Sequence, residues 1–205
     1  MQNHPPVATD PPTTDSDRHL LARVRLRDSA AFEQLFGRYY APLRQALGRM
    51  LGDDDQADDL TQETFLALYT HPPQLQNDEE ALRCWLYRVA LNRGYNTLRT
   101  RRRDAARLPD LYRPDATLDP EAEAVRREER ERVQLALATL PERQAKLLVL
   151  RQQEGLKYAE LAAILEVAPS SIGTLLVRAE RAFQLAWNQH STARPTPNTK
   201  GEYQP

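Results

Sequence analysis

FEQLFGRYYAPLRQAL, residues Phe32 to Leu47, is the stretch on which the reading of this chain turns. Phe32, Leu35, Phe36, Tyr39, Leu43 and Leu47 recur at steps of three and four, which puts apolar side chains on one face of an α-helix. Asp28 and Ser29 stand just ahead, where a side-chain oxygen can accept from the free N–H groups of a first helical turn. Gly52 ends this helix, and Asp53, Asp54 and Asp55 cap the next, on which Ala57, Leu60, Thr64 and Leu68 share a face. His71-Pro72-Pro73 stops that helix, because proline lacks the amide proton a helix interior needs. Asn77 or Asp78 then caps a third long helix through Leu82, Trp85, Leu86, Val89 and Leu98.

The rest of the chain follows the same pattern. Glycine is scarce, and the stretches rich in Leu, Ala, Arg, Glu and Gln favour helices over sheets. The fold expected is all-α, two small helical domains joined by an extended acidic linker, the second carrying a helix-turn-helix. Residues 18–104 form the first unit and 105–122 the linker, where Pro109, Pro114 and Pro120 alternate with Asp110, Asp115 and Asp119 and no periodic stripe survives. Residues 123–190 form the second unit. Val133, Leu137 and Leu140 run up to Pro141, which opens the next helix, and Leu147, Leu148 and Leu150 run up to Gly155. Tails 1–17 and 191–205 are polar and proline-rich, with too little apolar content to offset the entropy of ordering.

Several classes of function are set aside by what the chain lacks. Cys84 is the single cysteine, so neither an internal disulfide nor a multi-cysteine metal site can form. Residues 1–16 lack the apolar stretch of a secretory signal, and no run approaches a membrane span of roughly 18 apolar residues. The protein reads as soluble and cytoplasmic, without membrane insertion. His4, His19, His71 and His190 are scattered, and no nucleophile–base pair, metal-ligand spacing or phosphate-binding glycine loop is visible. No catalytic residue, metal or cofactor is expected.

The informative feature is the distribution of charge. From Arg83 to Arg107 run Arg83, Arg88, Arg93, Arg99, Arg101, Arg102, Arg103 and Arg107 against Asp104 alone, with Trp85, Tyr87, Asn92, Tyr95 and Asn96 interleaved. Arginines neutralise phosphates, aromatic rings stack on unpaired bases and amides read base edges. A solvated helix face would carry acidic residues to balance such a run, and this one carries almost none. Nucleic-acid contact is therefore preferred. One helix earlier, Asp53, Asp54, Asp55, Asp58, Asp59 and Glu63 occur without an intervening basic residue. A calcium loop fails, since Asp58 and Thr64 occupy the positions that need glycine and glutamate. Helix capping and a docking face for a basic partner, built on Asp59, Gln62 and Glu63, both remain open. A helix-turn-helix follows: Tyr158 to Leu165 with small Ala162, a short turn, then a helix from Ser170 whose Ile172 packs back on the first.

These features, in this order, resemble the extracytoplasmic-function (ECF) sigma factors of bacterial RNA polymerase over roughly residues 25–190. Ala57-Asp-Asp-Leu-Thr-Gln-Glu-Thr-Phe65 is similar to that family's core-binding segment, and Trp85-Leu-Tyr-Arg-Val-Ala-Leu-Asn92 with the arginine run resembles its −10 segment. Leu140-Pro-Glu-Arg-Gln144, Leu150-Arg-Gln-Gln-Glu-Gly-Leu156 and Tyr158-Ala-Glu-Leu-Ala162 resemble its −35-reading domain. The resemblance implies that Asp59, Gln62 and Glu63 dock on core RNA polymerase, with Leu60 and Phe65 supporting the helix. It implies that Trp85, Arg88, Asn92, Arg93, Asn96, Arg99, Arg101, Arg102 and Arg103 engage −10 promoter DNA. The loop His71 to Asp78 would receive a flipped base beside Asn92, and the acidic linker would thread toward the RNA exit path.

The recognition helix departs from the family pattern. Gly173, Leu175 and Val177 stand where basic residues are usual, Arg178 and Arg181 remain, and Glu180 lies between them. Either Ser170, Ser171 and Thr174 make short phosphate or base contacts with −35 DNA, or DNA binding by this helix is weak; a third reading has its apolar face covered by a partner such as an anti-sigma factor. Glu166 also stands where the turn often has glycine. The competing reading, a helix-turn-helix regulator that does not bind core polymerase, accounts for the second unit but leaves the Gln62-Glu63 segment and the arginine run unexplained.

Overall fold

The computed structural model describes residues 15–75, 80–105, 120–153 and 155–192. Residues 1–14 and 193–205 of the two tails, residues 106–119 of the linker with Arg107, and the Asn77/Asp78 cap lie outside those residues. Among the described residues the elements are helices only: α1 Asp17–Arg25, α2 Ser29–Leu51, α3 Asp54–Thr70, α4 Ala81–Ala105, α5 Pro120–Thr139, α6 Glu142–Arg151, α7 Tyr158–Leu165 and α8 Ile172–Thr192.

Their ends follow from local chemistry. Asp28 caps α2, its carboxylate accepting from Ala30 and Ala31, and Asp53 caps α3 by accepting from the Gln56 N–H. Gly52 takes the left-handed conformation (φ 61°) that ends α2, at little cost to a residue without Cβ. Pro141 precedes α6 directly, where its missing amide proton costs nothing. Pro42 lies inside α2 and removes a helical hydrogen bond. The helix continues through it because buried Tyr39, Leu43, Ala46 and Leu47 anchor both sides. Helix α1 lies ahead of the stripe that periodicity picks out in the sequence. It is tied down by buried Asp17, which accepts from the Tyr39 hydroxyl and the Arg38 guanidinium. Burial first, and then the bond to Asp17, push the Tyr39 hydroxyl far above its ordinary pKa.

In the first unit α1, α3 and α4 pack around α2, burying Leu35, Leu43, Leu47, Phe65, Leu68, Leu86 and Leu91. Gly94 lets α4 approach α2 closely, since a Cβ there would lie 2.7 Å from Leu47 Cδ2 and 3.0 Å from Met50 Sδ. In the second unit α5, α6, α7 and α8 enclose Leu137, Leu147, Leu150, Leu161, Leu165 and Ile172. The buried apolar residues of both units form one continuous cluster. The first unit's α4 lies against α5, α6 and α7.

Candidate polymerase and nucleic-acid interfaces

The predicted docking residues divide by depth. Asp59, Gln62 and Glu63 are exposed on α3, Leu60 is half-buried, and Phe65 is 2% exposed and packs edge-on against Phe32. Phe65 thus positions the helix from inside the core. Leu66, 60% exposed, falls on the face of Asp59, Gln62 and Glu63 at helical spacing, and reading by charge alone overlooked it. The acidic run is less isolated than the sequence suggests. Asp53 pairs with Arg101 at 2.6 Å, Asp58 with Arg44 at 3.1 Å, and Glu63 with Arg93 at 2.5 Å. For Asp53 burial raises the pKa, but the Gln56 N–H and Arg101 outweigh it and leave the carboxyl below its usual range. For Asp58 the Tyr40 hydroxyl contributes most to a lowered value, helped by Gln62 and Arg44. The acidic run therefore divides: Asp53 caps, Asp54 and Asp58 bind Arg44, and Asp59 stays exposed.

On α4, Trp85, Arg88, Asn92, Asn96, Arg99 and Arg103 follow one another at steps of three and four, so six of the nine predicted DNA residues share one stripe. Asn92, Asn96, Arg99 and Arg103 are exposed, and Trp85 and Arg88 are half-buried. The other three lie off the stripe and are committed to protein: Arg93 to Glu63, Arg101 to Asp53, and Arg102, which donates to the Ala138 carbonyl at 2.9 Å. Tyr87 and Tyr95 are 4% and 8% exposed, which removes them as stacking surfaces and leaves Trp85. Burial raises the pKa of both phenols.

The apparent lack of acids around the arginine run is made up from the second unit. Arg83 Nε lies 3.1 Å from the buried Glu160 carboxylate, and Arg83 also donates to the Gly155 carbonyl at 2.7 Å. Arg88 pairs with Glu166 at 2.8 Å and donates to the Ala163 carbonyl at 2.6 Å. The Lys146 ammonium, almost fully buried, donates to both Asn92 Oδ1 and Glu142. The Tyr95 hydroxyl donates to the Leu140 carbonyl at 2.9 Å.

The helix-turn-helix forms as expected, with a bend of 100° between α7 and the segment from Pro169 onward. A 3-10 turn over Pro169–Ser171 leads into α8. Glu166 takes the left-handed conformation (φ 55°), which explains why glycine suits that position. Ser170, Ser171, Thr174, Arg178 and Arg181 are all exposed. Gly173 has nothing within 4 Å of where a Cβ would sit, and Val177 and Leu185 are 66% and 59% exposed. Arg151, from α6, forms an ion pair with Glu180. No single described helix is long and apolar enough to cross a membrane.

An acid-edged helix beside an arginine and asparagine stripe, followed by a helix-turn-helix, defines an all-α protein that binds other macromolecules at two units. Residues 35–104 match the family description sigma-70 region 2, and residues 130–183 match sigma-70 region 4. RNA polymerase sigma-H factor of Pseudomonas aeruginosa is 29% identical over 184 residues, 85% of this chain and 95% of that protein. ECF RNA polymerase sigma-E factor of Escherichia coli is 29% identical over 178 residues, 82% and 92% of the two chains. Among solved structures, CnrH in complex with the cytosolic domain of CnrY superposes with a TM-score of 0.58 at 26% identity, covering 85% of this chain and 99% of that one. The chain belongs to the sigma-70 family, in its ECF group. It is a sigma factor that directs promoter recognition, and the alternative of a regulator independent of polymerase is set aside.

Proposed function

We propose that the two faces of the first unit divide the work of initiation. The exposed edge of α3, Asp59, Gln62 and Glu63 with Leu66 beside them, docks on core RNA polymerase, while Leu60 and Phe65 hold that edge in place. The α4 stripe reads the melted −10 element: Trp85 stacks on a base, Asn92 and Asn96 reach base edges, and Arg88, Arg99 and Arg103 hold phosphates. Arg93, Arg101 and Arg102 set the helix against its neighbours and reach DNA only if their present partners release them. The carrying observation is the single α4 stripe, which ends in Arg99 and Arg103 exposed and joined to no acidic side chain among the described residues.

The second unit supplies −35 contacts through Ser170, Ser171, Thr174, Arg178 and Arg181. Its exposed Val177 and Leu185 give a protein partner of the anti-sigma type something apolar to cover. Boundaries near 18–104 and 123–190 delimit the two working units, with 105–122 connecting them and tails outside. The action is binding rather than catalysis and takes place in the cytoplasm, where the polymerase is. Transcription in vitro with core polymerase over a genomic library tests this reading directly: a shared −10 motif should emerge, and Asn92→Ala should change it. A motif unaltered by Asn92→Ala would remove the α4 assignment.

A further inference from the structure

We infer that the cleft between α2, α5 and the turn after α6 is a binding site for a nucleotide, a small ligand with one phosphate head and a hydrogen-bonding ring. The cleft has a volume of about 1380 Å³. Ordinary small-molecule sites run to roughly 300–1,000 Å³, so a ligand of nucleotide size fits with water beside it.

Two groups with unused hydrogen-bonding capacity line it. Gln153 is 9% exposed, and its Nε2 has no hydrogen-bond partner among the described residues. A buried donor without a partner is costly, and a ligand oxygen in the cleft would satisfy it. Arg49 is exposed and spends one guanidinium nitrogen, Nη1, on the Gln152 carbonyl at 2.9 Å. It forms no ion pair among the described residues, whereas its neighbours Arg38, Arg44 and Arg83 are held by Asp17, Asp58 and Glu160. Arg49 therefore keeps donors in the fork geometry that matches a phosphate or a carboxylate.

The rest of the lining chooses among anions. Gln45, Gln134 and Gln152 bring three more side-chain amides, and Ala41, Pro42 and Val133 give an apolar wall. An amide sets a donor beside an acceptor, the pattern that complements the edge of a nucleobase. An apolar wall and paired amides have no use for a bare phosphate. Asp54 and Glu129 also line the cleft, so a monophosphate suits it better than a more highly charged triphosphate. Arg49 and Gln45 stand on α2, Gln134 on α5, and Gln152 and Gln153 just after α6, so the ligand touches both units.

The test uses the full chain without core polymerase, titrated calorimetrically with AMP, GMP, CMP and UMP, and with inorganic phosphate. At least one nucleotide should bind with a dissociation constant on the order of 10 μM, as for a well-placed ligand of this size. The same nucleotide should raise the melting temperature, because it binds the folded chain alone. Inorganic phosphate should bind at least roughly tenfold more weakly. Arg49→Gln removes the fork at an exposed position, and Gln153→Leu removes the unpaired amide at similar volume, so both should stay folded by circular dichroism. Arg49→Gln should weaken the preferred nucleotide by roughly tenfold or more, and Gln153→Leu several-fold. Arg99→Gln with Arg103→Gln should leave that affinity as it is. Three results overturn the proposal. One is no binding of any of the four nucleotides up to about 5 mM. Another is phosphate binding as tightly as the nucleotides, which means an adventitious ion only. The third is affinity kept in Arg49→Gln and lost in the Arg99 and Arg103 double variant, which puts the phosphate on α4 instead. None of these results bears on promoter recognition, since neither Arg49 nor Gln153 belongs to the proposed docking or promoter faces.

Discussion

Helices α4 and α8 are the two proposed to meet promoter DNA, and they achieve exposure in opposite ways. α4 is rich in arginine, yet Arg88, Arg93, Arg101 and Arg102 are bound to protein, Asn92 accepts from Lys146, and its open positions are Asn96, Arg99 and Arg103. α8 has few charges, yet nearly everything at its start is open: Ser170, Ser171, Gly173 and Thr174. A count of basic residues therefore overstates what α4 has free and says little about α8. What decides DNA contact is which groups remain uncommitted after folding, together with the cost of releasing the rest.

The largest expected effect lies on the first unit but off both helices. Asp59 is exposed and forms no ion pair within the described residues, so Asp59→Lys should leave the fold intact and weaken core polymerase binding by roughly a hundredfold, as for charge reversal at a complementary interface. Unchanged affinity in a pull-down titration would move docking elsewhere. Next, Asn92→Ala should cost roughly 1–3 kcal/mol of discrimination at one −10 position, while affinity for core stays the same. Promoter profiles of the two holoenzymes give the comparison.

Two helix glycines set α4 against α8 directly. A methyl at Gly94 meets Leu47 and Met50 in a packed core, so Gly94→Ala should destabilise by about 1–3 kcal/mol. A methyl at Gly173 meets nothing, and Gly173→Ala should stabilise by up to about 1 kcal/mol through helix propensity alone. Thermal melts of both variants show the opposite signs, and two shifts of the same sign would contradict the packing described for one of them. A pH series adds a check on the interface. Burial pushes the Cys84 thiol up to about 11. The stability gained by keeping it neutral is complete below the ordinary thiol value and fades as pH rises from there through about 11. Denaturant midpoints should fall over that window, and less so in Cys84→Ala.

How much of this was legible beforehand depends on range along the chain. The caps Asp28 and Asp53, the stops at Gly52 and before Pro141, and the helix-turn-helix are local chemistry, and periodicity was enough to find them. The α4 stripe was implicit too, since six named residues share one face of a helix. What one-dimensional reading lost was every pairing across a long separation. Arg83 meets Glu160 and Arg88 meets Glu166, each far along the chain, so the arginine run looked unbalanced when folding balances much of it. Tyr87 and Tyr95 looked available for stacking because sequence does not tell which face of a helix a second unit covers. α1 escaped for a similar reason: the group that fixes it, Asp17, is buried against Arg38 and Tyr39 of another helix. The one local hint of the cover was Glu166, a charged residue at a position whose backbone favours glycine.

The smallest expected effect tests α8 itself. Arg178 and Arg181 are exposed, but Val177 and Leu185 share their surroundings, and Gly173 sits nearer the helix start, where groove contacts are made. Two arginines seated on phosphates would each release a counterion, so Arg178→Ala with Arg181→Ala would lower the salt slope of holoenzyme binding by about 2. If α8 relies on Ser170, Ser171 and Thr174, the slope should change by less than about 1, because neutral hydroxyls and amides displace few ions. A fall close to the full value would place both arginines on the DNA backbone. The contrast with α4 would then vanish, since few charges, freely exposed, would do as much as many charges held in reserve.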